Sequence, residues 1–175
     1  METQPRKSKN GFVVIFKKSP RTKEWYALIQ YRSDSMTRMP GFLGTPGGRY
    51  EDDEDSLQAA VRETAEEAGF VFQPKDFTKF SEGKNCDWYA IIKNDRPKNH
   101  TYVDIVSMGE IQDTNKLIDK HPEWNCLRAV TFGHFWMSVK NIDDLNQHCS
   151  IKGNKLLMGG LISRIKQASE LLDLV

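Results

Sequence analysis

Neither sign of charge dominates this sequence. Its 25 Lys and Arg residues nearly balance its 24 Asp and Glu residues, for a formal net charge of +1, and long runs of one sign are missing. A polyanion-binding tail or a basic stripe is therefore not indicated, which argues against nucleic acid as a partner. The expected partner is a small molecule.

Long apolar runs and cysteines are also scarce. No stretch reaches the roughly 18 apolar residues of a membrane span, and the first eleven residues lack the apolar core of a signal peptide. The three cysteines, Cys86, Cys126 and Cys149, are widely spaced and form no C-x-x-C pair. A disulfide framework or a zinc site is thus not indicated. These absences predict a soluble, cytoplasmic protein with reduced thiols.

The chain has the length of one globular domain. We expect a single domain over residues 1–175, with residues 1–9 as a flexible tail, because 175 residues bury one substantial core and little else. Internal repeats and low-complexity segments are missing, and a hydrophobic content of 38% is too high for a disordered chain.

Several segments have the composition of strands. Residues 11–18 and 25–32 are β-branched and aromatic runs separated by the turn-forming SPRTKE, which predicts a hairpin. The following segment, residues 32–48, holds two prolines and four glycines and predicts a long loop. Further strand-like segments are residues 70–72, 77–82, 87–93, 101–108 and 129–139.

Two segments have helical spacing. The first runs from about Asp55 to Ala68, and Gly69 follows where a left-handed residue commonly ends a helix. The second, residues 155–174, is amphipathic, although Gly159 and Gly160 weaken its start. We expect it to pack on the domain; a helix that binds a membrane surface or a partner is the alternative.

The first helix gathers acidic residues on one side. At about 100° per residue, Glu63, Glu66 and Glu67 share one sector, beside an apolar sector. Like charges at this spacing repel, so the cluster either faces water or is relieved by a cation. Carboxylate oxygens suit Mg²⁺ or Mn²⁺. Taken alone, an acidic face is more often merely solvated.

The residues around the helix favour the cation. Gly47 and Gly48 open a loop in which the backbone can approach a ligand closely. Glu51 and Glu54 add acids before the helix, and Arg62 can pair with one of them. The segment thus holds every element needed to bind a metal and a phosphate.

The segment resembles the Nudix box, in which G, five residues, E, seven residues, and R-E-U-x-E-E-x-G-U follow in order, with U apolar. The matching positions here are Gly48, Glu54, Arg62, Glu63, Glu66, Glu67, Gly69 and Phe70. Thr64 departs from the pattern, since the family usually has an aliphatic residue there. Its methyl group can still pack, so we expect little effect on the helix and none on the chemistry.

The resemblance implies a Nudix hydrolase with an α/β fold, an α/β/α sandwich around a mixed β-sheet. It implies Mg²⁺ or Mn²⁺ as cofactor, with Glu63 and Glu67 as direct ligands and with Glu66 and the Gly47 carbonyl completing the site. Glu54 would act near a second metal or through Arg62, an orienting residue. Metal-activated water would then attack phosphorus and split the diphosphate linkage.

Residues outside the box are assigned less directly by the resemblance. Some family members use a glutamate of the box as general base and others an acid from a later loop. For a distal base, Glu123 is the preferred candidate, with Glu110 and His134 as competitors. The candidate substrate-binding residues are Arg49, Arg32 and Phe42. Base stacking has the candidates Phe42, Trp124 and Trp136.

Substrate choice in this family lies outside the box. An SQPWPFPQS-like array, an LLTxSxR-like signature and the proline of many ADP-ribose hydrolases are missing, and Trp88 and Tyr89 lie near a tyrosine position of dinucleoside polyphosphate hydrolases. We rank (d)NTP or dinucleoside polyphosphate hydrolysis first, ADP-ribose or nucleotide-sugar hydrolysis second and RNA cap removal third. A non-catalytic nucleotide sensor is the alternative class, and both a monomer and a homodimer stay open.

Overall fold

Residues 10–32, 41–93, 131–145 and 157–175 are described by the structure, a computed structural model. They include seven strands and two longer helices, with 3₁₀ turns at Pro74–Asp76 and Val139–Asn141 and a short helical segment at residues 142–145. The strands are β1 (Asn10–Lys18), β2 (Trp25–Arg32), β3 (Leu43–Gly44), β4 (Gly47–Arg49), β5 (Thr78–Glu82), β6 (Cys86–Ile92) and β7 (Thr131–Ser138). The helices are α1 (Ser56–Ala68) and α2 (Leu161–Leu171).

The seven strands belong to one mixed sheet. Its central order is β3-β2-β1-β6-β5, with β4 added to β1 and β7 added to β2. The β1–β6 pair is parallel, and the other pairs are antiparallel. The predicted hairpin is present as β1 and β2.

The first two strands diverge, and the loop between β3 and β4 fills the gap. The end of β1 pairs with the start of β2, whereas the start of β1 pairs with β4 and the end of β2 pairs with β3. The Val13 amide donates to the Pro46 carbonyl (2.9 Å), and the Thr45 hydroxyl donates to the Val13 carbonyl. Gly47 and Gly48 are thereby fixed beside the sheet.

The core lies on both faces of the sheet, because side chains alternate along each strand. Val14 and Phe16 of β1 belong to the cluster that contacts α2, whereas Val13 and Ile15 belong to the cluster that contacts α1. Helices therefore cover both faces. The predicted α/β/α sandwich around a mixed sheet is confirmed.

Helix α1 has a defined cap at each end. The Gln58 amide donates to the Asp55 carboxylate (2.8 Å), and the Asp55 amide donates to the Gln58 side chain (2.8 Å), which forms a capping box. Gly69 has φ 71°, and its amide donates to the Ala65 carbonyl (3.1 Å). The helix predicted over residues 55–68 is confirmed to within one residue.

Three expectations need correction. Residues 70–72 are not a strand: Phe70 is buried, and its ring meets the Phe72 ring edge to face at 5.9 Å. Part of the loop predicted over residues 32–48 is β3 and β4, since β1 and β2 leave room for them. The last helix starts at Leu161 rather than near residue 155, because Gly160 adopts a left-handed conformation (φ 78°).

Of the other predicted elements, one is present and two lie outside the described residues. The strand predicted over residues 129–139 is present as Thr131–Ser138. The expected tail, residues 1–9, and the strand expected over residues 101–108 lie outside the described residues. Within the described ranges, neither helix is long and apolar enough to cross a membrane.

Gly11 allows α1 to pack closely on β1, and we expect Gly11→Ala to destabilise the fold. An added Cβ would overlap the Ser56 carbonyl oxygen and lie 3.1 Å from the Ala60 amide nitrogen. Because both are backbone atoms, the helix would have to move, at a cost of about 2–3 kcal/mol in the free energy of unfolding. Denaturant unfolding measures this change.

Gly159→Ala is the matched control, because a Cβ there meets no atom of the described residues within 4 Å. We expect its free energy of unfolding to change by less than about 0.5 kcal/mol. An equal loss in both variants would contradict the close packing of α1 on β1.

Candidate active site

One arginine holds three of the acidic side chains. Arg62 Nε and Nη2 donate to the two carboxylate oxygens of Glu54 (2.8 and 3.1 Å), and Nη1 donates to Glu63 (2.9 Å) and Glu66 (3.3 Å). Nη2 also donates to the Arg49 carbonyl (3.0 Å). The prediction that Arg62 pairs with one of the two acids before the helix is confirmed, with Glu54 as the partner, and the guanidinium ties the loop to α1.

These ion pairs shift the pKa of both partners. The hydrogen bond from Arg62 holds the pKa of Glu54 below its ordinary value. The same hydrogen bond raises the pKa of the Arg62 guanidinium. Glu54 also accepts from the Glu51 amide (3.0 Å), so its carboxylate closes the loop that precedes α1.

Glu67 lies apart from this network, under the loop. Its side chain is 95% buried, since only 5% of the residue is exposed, and its Oε2 accepts from the Gly47 amide (3.0 Å). Burial raises the pKa of Glu67 to about 7; the Gly47 hydrogen bond opposes this rise, and the nearby charge of Glu63 adds to it. The surroundings of Glu67 therefore favour its neutral, protonated form over the carboxylate.

Glu63 lies between Arg62 and the glycine pair. A Cβ on Gly48 would lie 2.6 Å from Glu63 Oε1, so glycine at this position lets the backbone meet the carboxylate. Burial raises the pKa of Glu63, although its hydrogen bond with Arg62 opposes the rise. Glu63 and Glu67 thus repel each other on one side of α1.

The donor atoms fit a hard divalent cation in chemistry and charge. Among the described residues, no three carboxylate, imidazole or thiol groups converge as a ligand set. Glu63 and Glu66 are turned toward Arg62, so ligation requires them to turn from this partner. Glu67 can keep the hydrogen bond from the Gly47 amide and still offer its other lone pairs to a cation. A cation between Glu63 and Glu67 would relieve their repulsion, which neither hydrogen bond does.

A buried polar residue that the sequence reasoning missed adjoins Glu67. Gln30 of β2 is 1% exposed and lies on the α1 face, and neither of its amide atoms makes a hydrogen bond. Its amide nevertheless lies near enough to Glu67 to act as a hydrogen-bonding neighbour, which lowers the pKa of Glu67 against the larger effect of burial. In the strand segment WYALIQYR, Gln30 lies on the same face as the apolar residue Leu28, two positions earlier. A polar residue on an otherwise apolar face is the sequence signal that could have identified it.

The other predicted site residues differ in their placement. Arg32 is half-buried, and its charge lowers the pKa of Glu67, so Arg32 lies near the site. Its amide donates to the Phe42 carbonyl (2.9 Å), and Phe42 is half-buried. The Arg49 side chain is exposed, and its carbonyl binds Arg62. His134 is buried and stands opposite Gln30 in the β2–β7 register. Glu110, Glu123 and Trp124 lie outside the described residues.

One of the base-stacking candidates, Trp136, belongs to the core. Trp136, expected to stack on a base, is fully buried in the cluster that contacts α1, with the Lys17 ammonium 4.8 Å from its ring centroid. That expectation is wrong, because the side chain faces the sheet–helix interface. Trp88 and Tyr89 are also buried, on opposite faces of β6.

A second polar network fixes the start of α1. The Ser56 hydroxyl donates to Asp87 Oδ2 (2.6 Å) and lies 2.8 Å from the Tyr89 hydroxyl, and Lys79 pairs with the same Asp87 oxygen (3.1 Å). Asp87 is buried. The network links α1 to β6. It was not found from the sequence because Asp87 and Tyr89 lie 31 and 33 residues after Ser56 in the chain.

The raised pKa of Glu67 predicts a pH-dependent stability in chelator. Since the folded state holds the proton more tightly than the unfolded state, this contribution is fully present below about pH 4.5 and is lost as the pH rises through about 7. Relative to Glu67→Gln, which stays neutral, the wild type should lose up to about 3 kcal/mol between pH 4.5 and 8. Urea unfolding in EDTA measures both proteins, and a difference that is constant with pH would contradict the burial of this carboxylate.

The chain is similar to a known protein family. A family model described as NUDIX domain matches residues 9–152. No match was found among curated proteins.

Solved structures share the fold at low sequence identity. A mutT/nudix family protein from Listeria innocua is 14% identical, with 98% of this chain and 96% of that chain covered and a TM-score of 0.58. A C. elegans Ap4A hydrolase binary complex is 18% identical (95% and 98% covered, TM-score 0.56). The NUDIX domain of Shewanella oneidensis NrtR, complexed with ADP ribose, is 16% identical (98% and 94% covered, TM-score 0.56). Identities this low indicate a shared fold.

Proposed function

The chain belongs to the Nudix family, and we propose that it is a metal-dependent hydrolase that cleaves the diphosphate linkage of a nucleoside diphosphate derivative. The observation that carries the proposal is the pair of neighbouring carboxylates, Glu63 and Glu67, both with a raised pKa, beside a glycine loop. Two neighbouring acids whose surroundings disfavour their negative charges are suited to share a cation.

In this proposal Glu63 and Glu67 bind the metal directly, and Glu66 and the Gly47 carbonyl complete its ligands. When bound, Mg²⁺ or Mn²⁺ would neutralise the diphosphate oxygens and lower the pKa of a water molecule. Arg62 keeps Glu54, Glu63 and Glu66 ordered until ligation, and the close approach at Gly48 keeps Glu63 against the loop. Arg32 and Arg49 are proposed to bind substrate phosphate, with Phe42 against the nucleoside.

The general base stays a proposal. Glu123 is the preferred candidate and Glu110 a competitor, as expected from the sequence. His134 is a weaker candidate than these two acids, because it is only 5% exposed and lies beside Gln30 in the sheet. A buried imidazole has restricted access to water.

The proposed substrate is a (d)NTP or a dinucleoside polyphosphate, with ADP-ribose or a nucleotide sugar as the second candidate. Each candidate has a structural neighbour of the same fold, the C. elegans Ap4A hydrolase for the first and the NrtR domain with ADP ribose for the second. The missing ADP-ribose-type proline favours the first. We further propose a single cytoplasmic domain over residues 1–175 that acts as a monomer or a homodimer.

A substrate panel tests this ranking. Initial rates of nucleoside monophosphate release from dATP, diadenosine tetraphosphate, ADP-ribose and a nucleotide sugar are compared with Mg²⁺ and with Mn²⁺. We expect kcat/KM for one of the first two to exceed that for ADP-ribose about tenfold or more, a difference of about 1.4 kcal/mol in transition-state binding. The reverse order would move the substrate to the second candidate class, and binding without turnover would favour a nucleotide sensor.

A further inference from the structure

Gln30 is a buried amide whose hydrogen-bonding capacity is not used. It is 1% exposed, and both Oε1 and Nε2 lack a hydrogen-bond partner. Buried polar groups are nearly always paired, and leaving one unpaired costs free energy that an apolar residue of the same shape would not. The unpaired amide therefore indicates that Gln30 has a role in a state other than the one described.

The position of Gln30 indicates which groups it can reach. Leu28 and Tyr26, two and four residues earlier in β2, contact the cluster under α1, so the Gln30 side chain lies on the same face. β3 and β7 flank it, since Gln30 pairs with Gly44 on one side and with His134 on the other. Glu67, on α1, is near enough for the Gln30 amide to act on it as a hydrogen-bonding neighbour, although no bond of good geometry joins them.

One oxygen of the Glu67 carboxylate accepts a hydrogen bond from the loop, and the other can accept one from a second donor. The Gly47 amide donates to Oε2 (3.0 Å), which ties that oxygen to the loop. A carboxylate accepts several hydrogen bonds, and a neutral amide can donate to it without adding a charge to the site. Gln30 is thus placed to donate to the second oxygen.

We propose that Gln30 is a positioning residue that donates a hydrogen bond to Glu67 and holds this carboxylate in the orientation that binds the divalent metal. This inference rests on the proposed function, because it requires Glu67 to be a metal ligand. The oxygen tied to Gly47 and the oxygen held by Gln30 then fix the plane of the carboxylate. Residues that orient a metal ligand in this way commonly change metal affinity 10- to 100-fold when replaced.

The test measures Mn²⁺ binding without substrate. Free Mn²⁺ is followed by electron paramagnetic resonance while it is titrated into metal-stripped wild type, Gln30→Met and Gln30→Asn. Met keeps the length of the side chain without the amide, and Asn keeps the amide but withdraws it from Glu67. We expect the Kd for Mn²⁺ to rise about tenfold or more in both variants. Two variants keep the test valid if one fails to fold.

Thr64→Val is the matched control. Thr64 is fully buried on α1, and its hydroxyl also makes no hydrogen bond, so the control removes an equivalent unpaired group from the same interface. We expect its Kd for Mn²⁺ to stay within about twofold of the wild-type value. The Tm of metal-free Gln30→Met should equal or exceed that of the wild type, because an unpaired amide is removed.

Three outcomes overturn the inference. If Gln30→Met lowers the Tm but leaves the Kd for Mn²⁺ unchanged, Gln30 has a structural role, and the proposed function stands. If Thr64→Val weakens Mn²⁺ binding as much as Gln30→Met, the effect is one of packing. If the wild type does not bind Mn²⁺, the proposed function and this inference both fail.

Discussion

Replacing Glu67 by Gln should lower kcat/KM for metal-dependent hydrolysis by roughly a thousandfold, with the fold retained. Glu67 is proposed to bind the metal directly, and an amide oxygen is a weaker and uncharged ligand. Loss of a charged metal ligand removes several kcal/mol of transition-state stabilisation, and about 4 kcal/mol corresponds to a thousandfold. The fold should persist, because the Gln side chain can still accept from the Gly47 amide, as Glu67 Oε2 does.

The measurement is kcat/KM for the best panel substrate across a Mg²⁺ titration, with circular dichroism as the check of folding. Glu51→Gln is the matched control, since Glu51 is an exposed acid on the same loop. We expect the control to keep its activity within about twofold. Equal activity of Glu67→Gln and the wild type would exclude Glu67 from the metal site.

Arg62→Met should lower both activity and stability. The guanidinium pairs with Glu54, Glu63 and Glu66, and 15–22% of the Arg62, Glu54 and Glu63 side chains is exposed. Removing it leaves partly buried carboxylates that repel one another, which should cost about 2 kcal/mol of the free energy of unfolding. Because Glu63 and Glu66 lose their orientation, kcat/KM should fall about a hundredfold. Urea unfolding and steady-state kinetics measure the two effects.

Lys166→Met is the control for a single ion pair. Lys166 contacts Asp143 at 2.6 Å, but 45% and 67% of the two side chains are exposed, so solvent screens the pair. We expect a loss of less than about 1 kcal/mol and unchanged activity. Arg62→Lys sharpens the comparison, because an ammonium cannot replace the fork that binds both Glu54 oxygens. An Arg62→Met protein as stable as the wild type would contradict a structural role for the network.

Local features of the fold were predictable because they depend on neighbours in the chain. Asp55 and Gln58 cap α1, Gly69 ends it, and Arg62 pairs with Glu54 eight residues away. The positions of β1, β2 and β6 followed from β-branched and aromatic composition. Thr64 is buried as expected, although its hydroxyl makes no hydrogen bond.

Features that depend on the register between distant strands were not predictable. Gln30 reaches the site only because β7 and β3 flank β2 and α1 covers that face. Residues 70–72 have strand composition, yet Phe70 and Phe72 bury their rings without a partner strand among the described residues. Amino-acid composition predicts that a side chain is buried, but it does not predict whether the backbone pairs with another strand.

The role of Trp136 could not be predicted from the sequence for the same reason. An aromatic residue in a predicted strand can stack on a base or fill the core, and only the face on which it lies decides between them. In β7 it points to the α1 face and is fully buried, with Lys17 over its ring. The acidic residues of α1 could be assigned to the site because their spacing within a single helix fixes their shared side.

Hydrolysis in ¹⁸O-labelled water tests the central claim most directly. The substrate panel is incubated with wild-type protein and either Mg²⁺ or EDTA, and the products are analysed by mass spectrometry. We predict that at least one nucleoside diphosphate derivative releases nucleoside monophosphate only with Mg²⁺, with a single ¹⁸O on the phosphate of one product, as water attack at phosphorus requires. Failure of every substrate to turn over, or release that is equal in EDTA, would contradict a metal-dependent diphosphate hydrolase.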